Sequence, residues 1–223
     1  MAVGALASLA LATLAPGPLA LRADDAKPDA TGESPALSPE AFLEKVKTAM
    51  APVKTTRGKF TQTKTLALFD DKVESSGTFA IARPDRLRWE VTTPFKSVLV
   101  IAGDHGARWN ETRKAVERFA LADKPGIDQA VRQLFTWYSG RFEDVKGPFD
   151  VTVEKDGRSV SLVPKNEKLK DVIARMSIKL ARDLASLERI VLEEKGGDRT
   201  EIAFTGVEAN PALEAKTFEL EER

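Results

Sequence analysis

Residues 77–94, "GTFAIARPDRLRWEVTTP", carry the pattern on which the fold turns. Two runs of period-two alternation flank a proline turn. In the first, Phe79 and Ile81 alternate with Thr78 and Ala80. In the second, Leu87, Trp89 and Val91 share one face while Arg88 and Glu90 take the other. Successive side chains of a strand point to opposite faces, so this alternation marks antiparallel strands with one face covered. Two residues sit oddly in it. A core strand has no use for Arg83, and a surface strand has none for Trp89.

The same rhythm extends in both directions. Upstream, "RGKFTQTKTLALF" alternates threonines and lysines with Phe60 and its neighbours. Downstream, "SVLVIAG" is apolar on both faces and reads as a strand covered twice over, followed by "ARWNE" and "AVERFAL". "FDVTVEKDGRSVSLVP" sets Asp156-Gly157 between alternating runs, the strongest short hairpin signal a sequence offers. "ARMSIKL" alternates Met176, Ile178 and Leu180 with polar residues, and "SLERIVLEEKGGDRTEIAFTGV" predicts a hairpin turning at Gly196-Gly197-Asp198.

Two segments break the period. Ser38-Pro39-Glu40 is a helix start, with serine at the N-cap, proline at the first helical position and an acid in the first turn. Phe42, Val46 and Ala49, with Leu43 and Met50 beside them, recur at helical spacing until Pro52. A second helix is predicted in "GIDQAVRQLFTWYSG", where Ile127, Val131, Leu134, Phe135 and Tyr138 form a wide apolar stripe bracketed by Gly126 and Gly140.

The count comes to about ten or eleven strands, short helices near the start and middle, and no parallel βαβ rhythm. The fold class is mainly β with short helices. An antiparallel sheet of that size twists and curls, and it encloses more space than its own side chains fill. A single concave sheet follows, with the helices set into its mouth and room left for an apolar guest.

Composition bounds the function. The chain of 223 residues carries 34 basic and 34 acidic side chains, a balance that favours neither nucleic acid nor an anionic membrane as partner. It has no cysteine, which excludes disulfides, thiolate metal sites, thiol catalysis and a lipid-modified cysteine. The apolar run over residues 2–15 is shorter than the roughly 20 residues of a spanning helix and suits a secretory signal. Pro16 disfavours cleavage after Ala15, and Ala20 or Ala23 fits instead. Residues 1–23 are therefore expected to be a signal peptide, 24–37 a disordered leader rich in proline and acids, and 38–223 the folded domain.

Catalytic constellations are thin. His105, the single histidine, sits in the turn-like "GDHGA", and no second histidine can complete a metal site. "SSGTF" lacks the spacing of a nucleophile elbow, and "GGDR" lacks the lysine and helix of a phosphate loop. Asp70-Asp71 and Glu193-Glu194 are adjacent acids that a strand sends to opposite faces. No enzyme activity and no cofactor are expected.

The order of these pieces resembles the LolA-type periplasmic carriers, which move lipoproteins from the inner to the outer membrane of Gram-negative bacteria. The resemblance rests on the opening helix, "GKFTQ", "SSGTFAIARPDRLRW", Pro94 followed by "SVLVIAGDHGARW", "VSLVPKN", and "GVEANPALEAKTFEL" with Asn210, Phe218 and Leu220. It implies an unclosed barrel with a helical lid over an apolar cavity that takes the acyl chains of lipoproteins. An inner-membrane lipoprotein-releasing ABC transporter would supply them and an outer-membrane acceptor would receive them. A monomer in the periplasm, with no cofactor and no nucleic acid, is the expectation. The resemblance also implies that Arg83 latches the lid, that the position of Leu87 takes part in handing cargo on, and that Trp89 lines the interior.

Beside these, Phe60, Phe79, Ile81, Val91, Leu134, Phe135 and Tyr138 are the expected cargo-binding residues. The chain ends soon after Phe218, where some relatives carry a further C-terminal segment. Wider-family carriers handle other amphiphiles, so a glycolipid or a pigment-linked lipid is the alternative cargo. A small enzyme reusing the cavity is the rival from another class.

Overall fold

The computed structural model describes residues 38–68, 71–138 and 147–221. The expected signal and leader, Gly140 and Asp70 lie outside the described residues. Eleven strands form one antiparallel sheet: β1 (Thr55–Leu66), β2 (Asp71–Ala82), β3 (Arg86–Thr93), β4 (Ser97–Ala102), β5 (His105–Asn110), β6 (Val116–Ala120), β7 (Phe149–Val153), β8 (Ser159–Pro164), β9 (Ile173–Leu180), β10 (Leu187–Glu194) and β11 (Arg199–Ala209). Helix α1 spans Pro39–Met50, α2 Pro125–Tyr138, and the single turn α3 Glu167–Lys170.

The strand order is β6-β5-β4-β3-β2-β1-β11-β10-β9-β8-β7. Each half is a meander of hairpins, and the two halves join where β1 pairs with β11, from Thr56 opposite Ala209 to Thr65 opposite Arg199. The first half ends at the edge strand β6 and the second begins at the opposite edge, β7. The chain between them must therefore cross from edge to edge, and α2 lies in that crossing. Register shifts between Arg57 and Lys59 on β1 and between Ser76 and Gly77 on β2 bend the central strands. Bulges of this kind increase local twist, which curls a wide sheet.

Helix α1 begins as its sequence requires. Ser38 accepts a hydrogen bond from the Ala41 amide at 3.3 Å, and Pro39 occupies the first turn. Its buried side chains are Phe42, Leu43, Val46 and Met50, while Ala49 is half-buried. Helix α2 starts at Pro125, so Gly126 falls inside its first turn instead of before it. A proline there loses nothing, because the first amides of a helix have no intrahelical partner.

The core lies on the concave face. Side chains of both helices, with those of β1 to β4 and β7 to β11, form one cluster that includes Phe42, Val46, Phe60, Trp89, Trp137 and Ile178. A smaller cluster on the convex face joins Ala80, Val98 and Val100 to Phe218 and Leu220. This explains the doubly apolar strand β4: Leu99 and Ile101 face the main core, and Val98 and Val100 are covered by the C-terminal segment. Two arginines hold that segment down. Arg88 donates to the carbonyls of Thr217 at 3.4 Å and Glu219 at 3.2 Å, and Arg118 donates to that of Leu220 at 3.4 Å.

Candidate functional site

Alternation on β1, β2 and β3 aims one set of side chains into the concave face. Phe60 stands opposite Gly77, Phe79 opposite Trp89, and Ile81 opposite Leu87. Phe60, Phe79, Ile81, Leu87, Trp89 and Val91 are each less than 5% exposed and belong to the same cluster. Phe60 stacks on Trp89 with ring centroids 4.0 Å apart. Phe204 of β11 meets Phe79 edge-on at 5.3 Å and Tyr138 at 6.2 Å. Offset and edge-to-face rings at these separations attract beyond the area they bury.

The second helix completes the wall. Val131 and Tyr138 are buried, and Ile127 and Phe135 pack against the cluster in part. The side chain of Leu134 lies outside the described residues. Two large members fell outside the sequence-based set. Trp137 is fully buried at the end of α2, one position off the stripe read from Ile127. Phe204 was available from the alternation of Ile202 and Phe204 in "EIAFTGV".

Arg83 sits half-buried in the turn between β2 and β3, at the end of the concave wall. Its Nη1 donates to the carbonyl of Met50 at 2.9 Å, and its Nη2 donates to the carbonyl of Tyr138. These are the final residues of α1 and α2. The last carbonyls of a helix lack intrahelical donors and carry its negative partial charge, so a cation is favoured there. One guanidinium therefore meets the C-terminal ends of both helices at once. Its planar fork of five donors allows this, and the point charge of a lysine would not do so equally well. The backbone supports the placement, since the Arg83 amide donates to the Lys54 carbonyl at 2.9 Å.

Farther along the same face the wall turns polar. Gln62, Ser75 and Thr200 are buried on β1, β2 and β11, and Lys64 lies 3.6 Å from both Glu194 and Asp198. The other residues weighed for chemistry are dispersed. His105 is exposed beside Asp104, and Glu193 turns to Arg175 while its neighbour Glu194 turns to Lys64. Burial pushes the Tyr138 hydroxyl well above its ordinary pKa.

A family model described as outer membrane lipoprotein carrier protein LolA matches residues 51–221. The chain belongs to the LolA family. Among curated LolA-family relatives, an outer-membrane lipoprotein carrier protein of Dechloromonas aromatica is 29% identical over 145 residues, 65% of this chain and 66% of its own. One of Pseudomonas syringae pv. tomato is 27% identical over 148 residues, 66% of this chain and 68% of its own. The chain thus spans about two thirds of the length of these relatives. An uncharacterized conserved protein from Thermus thermophilus shares the fold with a TM-score of 0.50 at 10% identity, covering 82% of this chain and 93% of that one. The mainly β, unclosed, helix-covered architecture expected from the sequence is the one observed.

Proposed function

We propose that this LolA-family protein is a periplasmic carrier that holds the acyl chains of lipoproteins against its concave wall. It receives them from an inner-membrane ABC transporter and delivers them to an outer-membrane acceptor. The observation that carries this reading is the continuous apolar wall from Phe60 to Val91, covered by two helices whose ends meet at Arg83. The names of the curated relatives support the class of cargo.

The mechanism follows from competition. With the helices down, Trp89, Phe204 and Tyr138 cover one another. Acyl chains enter by displacing the helices, and each methylene withdrawn from water contributes about 0.8 kcal/mol. Entry breaks the contacts of Arg83 with Met50 and Tyr138, so the latch opposes loading and favours release. In this reading Phe60, Phe79, Ile81, Leu87, Trp89, Val91, Phe135 and Tyr138 line the loaded cavity. Arg83 returns the lid, and no residue performs covalent chemistry.

Native mass spectrometry of protein taken from an exporting host tests the reading. Mass increments of acylated peptide that vanish on solvent extraction are the expected result. Protein that emerges unliganded, and that takes up no synthetic lipopeptide when incubated with it, refutes it. Increments matching a glycolipid or a pigment-linked lipid would move the cargo to the alternative class.

A further inference from the structure

The concave wall is not uniformly apolar. Gln62 follows Phe60 on the same face of β1, with Ser75 directly opposite on β2. Thr200, two residues before Ile202 on β11, stands opposite Lys64. Directly opposed side chains lie about 5 Å apart at Cβ and diagonal ones about 7 Å, so the three form one patch. They are 4%, 8% and 3% exposed, and among the described residues Gln62 Oε1, Ser75 Oγ and Thr200 Oγ1 have no hydrogen-bond partner. The patch lies on the β1–β2 hairpin side of Phe60, away from Arg83.

Orphaned polar atoms of this kind are uncommon, because leaving a buried donor unmet is costly. Their chemistry is lopsided. Ser75 and Thr200 bring hydroxyls that can donate, while the unpartnered Gln62 oxygen can only accept. In the same core but toward the Arg83 end, Trp89 Nε1, Trp137 Nε1 and the Tyr138 hydroxyl are also buried without partners among the described residues. A purely hydrocarbon guest would leave all of these groups unmet. A guest bearing carbonyl oxygens would answer the donors.

We infer that the Ser75 and Thr200 hydroxyls, on either side of Gln62, receive the carbonyl-bearing junction of an ester-linked acyl amphiphile. The chains then run along the apolar wall toward Phe79, Trp89 and the Arg83 end. The inference rests on the carrier reading and adds an orientation and a chemical selectivity: the protein distinguishes acyl esters from alkyl ethers of equal length. Hydroxyls donating to ester carbonyls supply that distinction, since ether oxygens lack the carbonyl acceptor and leave the buried donors unmet.

The test uses two synthetic lipopeptides, a diacylglyceryl diester and its dialkyl ether counterpart of matched chain length. Their binding is followed by intrinsic tryptophan fluorescence in wild type and in the double variant S75A/T200V. Wild type should bind the diester about five- to tenfold more tightly, and the double variant should bind both alike with its ether affinity unchanged. Removal of two unmet hydroxyls should leave the urea midpoint unchanged or higher, whereas a structural or water-binding role would lower it. Equal affinities in wild type would overturn the inference and leave the carrier reading standing, as would a preference that survives in the double variant. Failure of both lipopeptides to bind would remove the carrier reading and the inference with it.

Discussion

Replacing Arg83 by leucine should shift the lid toward its open form by about two decades. The guanidinium makes two contacts with backbone carbonyls, one at the end of each helix. A hydrogen bond to a charged group contributes about 1.5–3 kcal/mol net, so two have an upper range of about 3–6 kcal/mol. Arg83 is half-buried, and water replaces part of what it loses on opening. The Met50 carbonyl is not orphaned either, because it also accepts from the Val53 amide at 3.1 Å. We therefore take the lower end, about 3 kcal/mol, which corresponds to a little over a hundredfold in the closed-to-open ratio.

When only the open form binds an apolar probe, the apparent dissociation constant falls in proportion as the open fraction rises. Arg83→Leu should thus bind 1-anilinonaphthalene-8-sulfonate up to about a hundredfold more tightly, with a parallel loss of hydrogen-exchange protection in α1. Arg83→Lys, keeping one contact worth about 1.5 kcal/mol, should show about a tenfold effect. A leucine variant that still unfolds cooperatively, yet matches wild type within twofold in both probe affinity and α1 protection, would refute the latch.

Three further outcomes are expected. A Cβ at Gly77 would lie 1.9 Å from the Glu90 carbonyl oxygen, a backbone atom of the paired strand, so Gly77→Ala should cost about 3 kcal/mol or more in urea unfolding; a loss below about 1 kcal/mol would mean that β3 yields freely. Asn210 has φ +56°, accepts from the Lys54 amide at 2.7 Å and donates to the Pro52 carbonyl at 3.2 Å. Asn210→Ala should cost about 2 kcal/mol and Asn210→Gly less, since glycine keeps the backbone geometry while losing the bonds; the reverse order in urea titrations would contradict this. The Glu117 carboxyl is held below its ordinary pKa by Lys124 and Arg108, which bond to it at the edge strand β6. A carboxyl depressed on folding contributes its stability above the unfolded pKa and loses it as pH falls through the folded value. Glu117→Gln should therefore show a shallower fall of urea midpoint on acidification than wild type, and identical slopes would deny the linkage.

The fold was legible where its signals were local. "LRWEV" could only be a strand with one covered face, Asp156-Gly157 could only be a hairpin, and Ser38-Pro39 set the start of α1 to the residue. Legibility ended where contacts span the chain. Nothing in "GKFTQTKT" announces that β1 pairs with β11, because that register is fixed by closing the whole meander and not by a turn. The doubly apolar β4 implied a second cover without naming it. That cover, Phe218 and Leu220, is clipped by Arg88, whose position in the strand shows only that it faces outward. Trp137 escaped the stripe because a helix crossing between two sheet edges buries a wider arc than one packed on a flat face. The polar patch was invisible for a simpler reason: threonine, serine and glutamine at alternating positions look like a solvated face until the curl of the sheet places them inside.

These features together bear on how the proposed carrier holds several acyl chains and still lets go. Transfer of long chains out of water would amount to tens of kcal/mol, beyond what non-covalent affinity reaches. The trap is avoided because the wall does not stand bare. With Phe60 against Trp89 and Phe204 against Tyr138, most of the apolar surface that a guest would cover is already covered by the protein itself. Loading exchanges one set of apolar contacts for another, and only the difference is available as affinity. In the latch reading Arg83 subtracts further from that difference, since displacing the helices breaks its contacts with Met50 and Tyr138. In the proposed orientation the buried hydroxyls of Ser75 and Thr200 act in the opposite direction, unpartnered with the helices in place and answered by an ester carbonyl. A grip set by two small opposing polar terms on a nearly balanced apolar exchange can be tuned by single residues, which is the condition under which Arg83→Leu and S75A/T200V should move affinity in opposite directions.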